Sequence, residues 1–300
     1  METVAAEFII PTETHIGNIH LQVSDLKQSL DFYSHLLGFR PIRQENGTVW
    51  LSASGLPPAS IILTELSGAW PKTRETTGLY HAAIRVPTRY DLARIFRRLI
   101  DENWPVDGLS DHLVSEGIYL TDPDGNGLEI YHDRPREEWP HRNNYIAMDT
   151  KPLNPKNLLA VLPEDVPVWE GLPPKTDIGH IHLRISDLAR AEFFYQGVLG
   201  FEVTQRDYPG ALFFAAGGYH HHIAVNVWAG ENIPPSPHDA VGLISFAIHV
   251  PDEVTYNTLR DRLAAADIPA AEQSSPDYSL SMLINDPDTN GIEIVTGIRR

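Results

Sequence analysis

An internal repeat constrains the fold of this 300-residue chain more than any other feature of its sequence. Residues 14–39 match residues 176–201 at 14 of 26 positions, with a constant offset of 162. Further along, DPDGNGLEI at 122–130 recurs as DPDTNGIEI at 286–294, with an offset of 164. Because the two kinds of segment alternate, the chain is organised as two related units that each occur twice, in the order A-B-A′-B′.

The same order of secondary structure is predicted for every unit. Alternating apolar residues at Ile19, Leu21 and Val23 predict an opening strand that is half buried in a sheet. A helix that Ser24 or Asp25 can cap follows this strand. Three more strands complete the unit, and in the B units the tight DPDGNG turn or its copy joins the last two. Each unit is therefore predicted to be a βαβββ module, and the whole chain an α+β protein.

Four modules and one long connector account for most of the sequence. We place module 1 at 13–67, module 2 at 78–132, module 3 at 176–230 and module 4 at 242–297. The connector at 133–175 is rich in proline and asparagine, and a connector of this length usually has a purpose. It could carry the chain far enough for modules 2 and 3 to meet. Whether it also covers a cleft is left open by the sequence.

Composition excludes several classes of function. The formal net charge of -17 argues against nucleic acid or an anionic membrane surface as a partner. No apolar run approaches the roughly 20 residues that span a bilayer, and no secretory signal is recognisable, so we expect a cytoplasmic protein. The absence of cysteine removes thiolate catalysis and disulfides. The 14 histidines instead indicate metal binding or acid–base chemistry.

Several sequence strings carry a resemblance to a known family. The modules, together with GLYH, DHLVSE, YLTDPDGNGLEIY and GGYHHH, resemble the vicinal oxygen chelate superfamily, and are most similar to its bacterial catechol 2,3-dioxygenases, which are type I extradiol enzymes. The resemblance covers nearly the whole chain. It implies two curled mixed-sheet half-barrels, each built from two modules around a cleft. Such a fold alone says little about the reaction.

The resemblance also implies a ligand set. Extradiol enzymes of this superfamily bind iron through two histidines and one glutamate, which come from the first strands of two paired modules and from the last strand of one of them. If modules 2 and 3 pair, these positions hold His81, Glu129 and His180, a complete set. Pairing module 1 with 2, or 3 with 4, leaves the set one histidine short, because Asn18 or Ser245 replaces it. One metal centre, built from modules 2 and 3, is therefore implied.

Modules 1 and 4 should then form a degenerate, metal-free pair. Its corresponding positions hold Asn18, Ser245 and Glu293. A lone histidine at the start of a strand is usually structural, but the repeat indicates that the fold does not need histidine here. His81 and His180 are therefore better interpreted as ligands.

The resemblance assigns two catalytic groups close to the glutamate. A tyrosine lies ten residues before the ligand in extradiol enzymes, and Tyr119 stands in that place relative to Glu129. The degenerate copy has Leu283 there instead. His112, three residues before Ser115, matches a family histidine on the loop that leads to the same strand, although the spacing to the strand differs from the family's.

A third catalytic group is implied in the run of three histidines. His221 matches the acid/base histidine of the family, and His220 or His222 could take that role instead. Strand alternation allows at most two of the three to face one side. His182, in contrast, is retained by the repeat as His20, which favours a structural role.

These assignments imply an extradiol ring-cleaving dioxygenase that opens catechol or a substituted catechol with O2. Two imidazoles and a carboxylate suit a mononuclear non-haem Fe(II), and Mn(II) is the alternative. The expected partners are a small aromatic diol and O2, and a homo-oligomer could form through an exposed sheet edge.

Two other functions remain open from the sequence. One is a metal-dependent, glyoxalase-like isomerase or transferase, which would need a fourth protein ligand where Asn226 stands. The other is a non-catalytic protein of the resistance type that binds a small aromatic. A complete ligand triad with Tyr119 nearby argues against the latter.

Overall fold

The computed structural model describes residues 8–143 and 145–299. Within these residues, nineteen strands and five α-helices follow one another in four similar groups and a connector. Module 1 contains β1 (His15–Val23), α1 (Leu26–Leu30, continued by a π-helical turn at Asp31–Leu36), β2 (Arg40–Glu45), β3 (Thr48–Ser52) and β4 (Ile61–Glu65). Module 2 contains β5 (Gly78–Arg85), α2 (Arg89–Asp101), β6 (Gly108–Asp111), β7 (Ser115–Thr121) and β8 (Gly127–Asp133).

The second half of the chain repeats this order after the connector. The connector holds a 3-10 turn (Arg136–Glu138), β9 (His141–Arg142), β10 (Tyr145–Ile146), β11 (Lys151–Pro152) and α3 (Pro155–Leu159). Module 3 contains β12 (Asp177–Arg184), α4 (Leu188–Glu192, continued by a π-helical turn at Phe193–Val198), β13 (Glu202–Gln205), β14 (Ala211–Ala215) and β15 (Ile223–Asn226). Module 4 contains β16 (Gly242–His249), α5 (Glu253–Ala265), β17 (Ala271–Glu272), β18 (Tyr278–Asn285) and β19 (Gly291–Ile298). The predicted βαβββ order is confirmed.

The strands form two large mixed sheets. One has the order β17-β18-β19-β16-β1-β4-β3-β2 and joins modules 1 and 4, and the other has the order β11-β6-β7-β8-β5-β12-β15-β14-β13 and joins modules 2 and 3. In each sheet the first strands of the two modules pair antiparallel, β1 with β16 and β5 with β12. The predicted pairing of modules is therefore confirmed.

The helices begin where the sequence places capping residues. The Asp25 side chain accepts a hydrogen bond from the backbone of Gln28, and Thr88 does the same at the start of α2. On α2, one stripe of side chains is buried beside the sheet, formed by Leu92, Ala93, Ile95, Phe96 and Leu99. This apolar face holds α2 against the hydrophobic core.

The DPDGNG turn and its copy connect modules that lie in different sheets. The buried Tyr33 hydroxyl of module 1 donates to Asp122 of module 2 at 2.9 Å, and Tyr195 of module 3 donates to Asp286 of module 4 at 2.9 Å. Both carboxylates are also hydrogen-bonded within their own turns. Modules 1 and 2, and likewise modules 3 and 4, are therefore joined by a buried Tyr–Asp contact, while modules that share a sheet are joined by strand pairing.

No helix within the described ranges has both the length and the apolar character required to cross a membrane.

Removing the Tyr195 hydroxyl should destabilise the fold in a pH-dependent way. Burial raises the pKa of Asp286 to about 6, so this carboxyl favours folding at acid pH and loses that contribution as pH rises from about 4 through 6. Tyr195→Phe removes a donor that stabilises the ionised form, at a cost of about 1–3 kcal/mol. The loss in free energy of unfolding should therefore be larger at pH 7.5 than at pH 4.5, as measured by urea denaturation. Equal losses at both pH values would contradict this explanation. Tyr33→Phe is the matched variant, because it removes the equivalent hydroxyl that donates to Asp122.

Candidate metal centre

Three side chains from the central strands of the second sheet converge on one point. His81 lies on β5, Glu129 on the neighbouring strand β8, and His180 on β12. The Glu129 Oε2 atom lies 3.1 Å from His180 Nε2 and 3.3 Å from His81 Nε2. One potential ligand atom from each residue lies within 4.8 Å of the other two, and no second group of this kind occurs in residues 8–143 and 145–299.

A β-bulge brings His81 and its neighbour to the same side of the sheet. His81 pairs with His182 and Leu79 with Leu183, so Tyr80 is an extra residue in β5. The Tyr80 ring consequently lies 5.3 Å from that of His81, although successive residues of a regular strand point to opposite faces. Gly127 is required here, because a Cβ at that position would collide with the Tyr80 carbonyl oxygen.

The protonation states of the cluster suit metal binding. Burial alone would raise the pKa of Glu129, but the imidazoles of His180 and His81 outweigh it and hold that pKa well below its usual range. Burial lowers the pKa of His180 to about 4, despite the nearby carboxylate. The cluster therefore offers an ionised carboxylate and a neutral imidazole, the forms that bind cations.

Unsatisfied polar atoms test whether a cation fits this cluster. The Nε2 atom of His81 and the Oε1 atom of Glu129 are buried without a hydrogen-bond partner in the parts of the chain described. Buried polar atoms are nearly always paired, so orphaned atoms in a native structure need an explanation. A cation bound among the three side chains would satisfy both atoms, and two histidines with one carboxylate form the ligand set of many non-haem iron sites. The residues present therefore fit a metal ion.

The other sheet holds a different arrangement at the equivalent positions. Glu293 there accepts a hydrogen bond from Ser281. The residue that corresponds to Ser281 in the second sheet is Gly117, and a Cβ on Gly117 would lie 2.5 Å from Glu129 Oε1. In modules 1 and 4 a serine therefore donates a hydrogen bond to Glu293. In modules 2 and 3 a glycine stands at that position, so Glu129 has no such donor.

Tyr119 and His112 form a connected pair beside the cluster, as the resemblance implies. Tyr119 lies on β7 directly opposite Glu129, and its hydroxyl is 2.7 Å from His112 Nε2. The Nδ1 atom of His112 lies 2.9 Å from the Asp149 carbonyl oxygen, to which it can only donate. Burial, together with the charge of Glu129, raises the pKa of Tyr119 well above its ordinary value, so the hydroxyl keeps its proton.

The three adjacent histidines have different surroundings. His221 lines the cavity above the cluster, with its ring 4.1 Å from that of His180. His220 instead contacts Asp133, and His222 accepts a hydrogen bond from the Ala216 backbone. Of the three histidines, the structure therefore brings only His221 to the cavity.

The cavity has a volume of about 310 Å³ and is partly formed by the connector. Met148, Asp149 and Thr150 of the connector line one side of it. The connector thus forms part of the wall of the cleft.

Sequence reasoning missed several wall residues. The aromatic ones are Tyr80, Tyr208, Phe213 and Trp228. His182, interpreted as structural because the repeat retains it, also lines the cavity, and its Nε2 atom bonds the Asn226 amide at 2.9 Å. Its counterpart His20 forms a hydrogen bond with Thr64 instead. The only sequence signal that distinguishes the two histidines is therefore the residue at the partner position, Asn226 for His182 and Thr64 for His20.

A family model and a curated relative match most of the chain. The model described as "Glyoxalase/Bleomycin resistance protein/Dioxygenase superfamily" matches residues 15–130 and 177–294. The catechol-2,3-dioxygenase of Bacillus subtilis (strain 168) is 40% identical over 261 residues, which cover 86% of this chain and 90% of that protein. The biphenyl-2,3-diol 1,2-dioxygenase 3 of Rhodococcus globerulus is 26% identical over 162 residues, 52% of this chain and 85% of that protein.

Solved structures with low sequence identity share the fold. A putative dioxygenase from Bacillus subtilis subsp. subtilis str. 168 superposes with a TM-score of 0.65 at 15% identity, covering 96% of this chain and 86% of that one. Glyoxalase I from Zea mays gives a TM-score of 0.58 at 14% identity, with coverage of 95% and 92%. At these identities the similarity establishes the fold and carries no further argument.

Gly117→Ser should weaken metal binding, whereas the reverse substitution in the other sheet, Ser281→Gly, should not. Gly117→Ser introduces a side chain against Glu129, as Ser281 does at Glu293, so we expect at least a tenfold loss of affinity for Fe(II) or Mn(II). The fold should tolerate the change, because the equivalent position already carries serine. Ser281→Gly is the matched control and should leave metal stoichiometry, measured by mass spectrometry of bound metals, unchanged. Wild-type stoichiometry and affinity in Gly117→Ser would contradict this account of the site.

Proposed function

The chain belongs to the glyoxalase/bleomycin resistance protein/dioxygenase superfamily, and from that premise we propose that it is an extradiol ring-cleaving dioxygenase. It would open catechol or a substituted catechol with O2 at a mononuclear non-haem Fe(II). His81, Glu129 and His180 would hold the metal, which could also be Mn(II).

One observation carries this proposal further than the family alone. A buried cluster of two histidines and one carboxylate lies beneath a cavity that also contains Tyr119, His112 and a third histidine. A binding protein without chemistry has no need for an ionised, buried carboxylate with an unpaired oxygen. The 40% identical relative named as a catechol-2,3-dioxygenase supports the same reaction class.

When bound, the metal would supply Lewis acidity toward the diol and the one-electron chemistry that O2 requires. The protein's own contribution begins with His221. Its Nε2 atom makes no hydrogen bond in the described residues, and its ring lines the cavity. We assign it the role of accepting a hydroxyl proton from the diol and returning it later in the reaction.

Tyr119 and His112 would stabilise charge on the opposite side of the cavity. The Tyr119 hydroxyl keeps its proton and lies at the end of a hydrogen-bonded chain that runs through His112 to the Asp149 carbonyl oxygen. Because His112 donates from Nδ1, its Nε2 atom accepts the Tyr119 hydrogen before substrate binds. When the diol is present, the hydroxyl would turn this hydrogen from His112 toward a substrate oxygen and stabilise the negative charge that develops there.

The size and walls of the cavity favour a small substrate. A volume of about 310 Å³ lies at the lower end of the range of roughly 300–1,000 Å³ for small-molecule sites. Phe213, Trp228 and Val114 supply apolar surface. We therefore propose a diol with a single ring as the substrate.

The geometry disfavours the glyoxalase-like alternative. A fourth protein ligand would have to come from Asn226, but the side-chain nitrogen of this residue lies 2.9 Å from His182 Nε2. An amide that is already engaged with a wall residue is a poor metal ligand, so the three-residue set is better explained by a dioxygenase.

Ring cleavage can be tested directly with matched variants. Protein loaded anaerobically with Fe(II) is mixed with catechol and then exposed to O2, and we expect the yellow ring-fission product. His81→Ala and His180→Ala should each abolish the colour and the bound metal, whereas Glu293→Gln should retain both. Loss of activity in Glu293→Gln with retention in Glu129→Gln would overturn the assignment of the site.

Replacing Tyr119 should separate chemistry from metal binding. In Tyr119→Phe we expect kcat for catechol to fall by about 10²-fold, the order expected for loss of one hydrogen-bond donor to developing charge. Metal content should remain that of the wild type, because Tyr119 is not proposed as a ligand. A variant with wild-type kcat would show that the hydroxyl takes no part in the reaction.

A further inference from the structure

A buried chain of hydrogen bonds leads away from the cavity behind His221. The Nδ1 atom of His221 lies 2.8 Å from His220 Nδ1, and His220 Nε2 lies 2.8 Å from an oxygen of Asp133. We propose that Asp133 and His220 are positioning residues, which fix the ring orientation and the tautomer of His221 so that its Nε2 lone pair faces the substrate.

The inference follows from what each atom can donate. An ionised Asp133 can only accept a hydrogen bond, so His220 must carry its hydrogen on Nε2. A neutral His220 then has a lone pair on Nδ1, which can only accept. His221 must therefore donate from its own Nδ1, which leaves Nε2 of His221 without a hydrogen and free to accept one.

Asp133 is itself held in place from several directions. The Tyr219 hydroxyl donates to its Oδ2 atom at 2.8 Å, and Arg85 lies 3.4 Å from the same atom. Arg85 also pairs with Asp177 at 2.7 Å. Burial would raise the pKa of Asp133, but the hydrogen bond from His220, the charge of Arg85 and the hydrogen bond from Tyr219 lower it instead, so the carboxylate remains ionised.

The repeat provides an internal comparison for this network. Applying the two offsets, the sheet of modules 1 and 4 has different residues at the positions of Asp133, His220 and His221. They are Gly297, Pro58 and Ala59. The strands pair in the same register in both sheets, Ile181 with Ile223 and Ile19 with Ile61. The fold therefore forms without this chain of polar groups, which occurs beside the candidate metal centre and not at the equivalent place.

The arrangement resembles a catalytic triad, in which a buried carboxylate fixes the tautomer of a histidine. Here one more histidine lies between the carboxylate and the ring that faces the substrate. Its consequence for catalysis rests on the proposed role of His221. The tautomers themselves, however, can be measured without turnover.

Asp133→Asn is the direct test. An asparagine can donate from its amide to His220 Nε2 and still accept from Tyr219, so the variant should reverse both histidine tautomers. Long-range proton–nitrogen NMR spectra of the full-length, metal-free chain should show His221 protonated on Nδ1 in the wild type and on Nε2 in the variant. With Fe(II) and catechol, kcat should fall by at least tenfold while KM changes by less than threefold.

Two further variants keep the test decisive. Tyr219→Phe removes a donor to Asp133 but leaves the His–His–Asp order intact, so it should retain the His221 tautomer and most of kcat. His220→Gln keeps an acceptor toward His221 and a donor toward Asp133, and it should retain more activity than His220→Leu. This comparison remains available if Asp133→Asn fails to fold.

Other results would overturn the inference. Protonation of His221 on Nε2 in the wild type, or an unchanged tautomer in folded Asp133→Asn, would do so. Equal losses of kcat in Tyr219→Phe and Asp133→Asn would indicate a purely structural role. If the wild type does not cleave catechol, the proposed function fails, whereas the NMR spectra still decide the positioning of His221.

Discussion

The antiparallel pairing of β5 with β12 is the interaction on which the rest of the candidate site depends. It joins the second and third modules in one sheet and brings His81 and His180, from strands nearly a hundred residues apart, close to the same oxygen of Glu129. The parallel pairing of β5 with β8 then adds the carboxylate. Register matters at every step, because a slip by one residue would turn all of these side chains to the other face. The Tyr80 bulge places two successive side chains on the cavity side.

Duplication explains why one sheet carries a candidate metal centre and the other does not. Both sheets have the same strand order around their first strands and the same buried Tyr–Asp contacts between modules. They differ beside the glutamates, where Ser281 engages Glu293 and Gly117 leaves Glu129 unpaired. The sheet of modules 1 and 4 therefore shows which features the fold itself requires, and the second sheet carries the additional side chains of a candidate ligand set.

The sequence alone predicts much of this arrangement. Repeat offsets define the modules. The ligand set implied by the family resemblance, together with the replacement of His81 and His180 by Ser245 and Asn18, indicates which modules pair. The sequence cannot predict the role of Asp133, because only folding brings the end of β8 beside a loop 87 residues later. The bulge at Tyr80 is equally hidden, since the strand reads as regular in sequence. Residues of the connector contact the cavity through tertiary packing that no local pattern encodes.

The position of the metal is the central claim, and diffraction can locate it directly. Crystals of the full chain grown with Fe(II) under anaerobic conditions would be measured at the iron absorption edge. The account predicts one anomalous peak per chain, within bonding distance of His81, Glu129 and His180. A peak at Glu293, or no peak in a chain that turns over catechol, would contradict it.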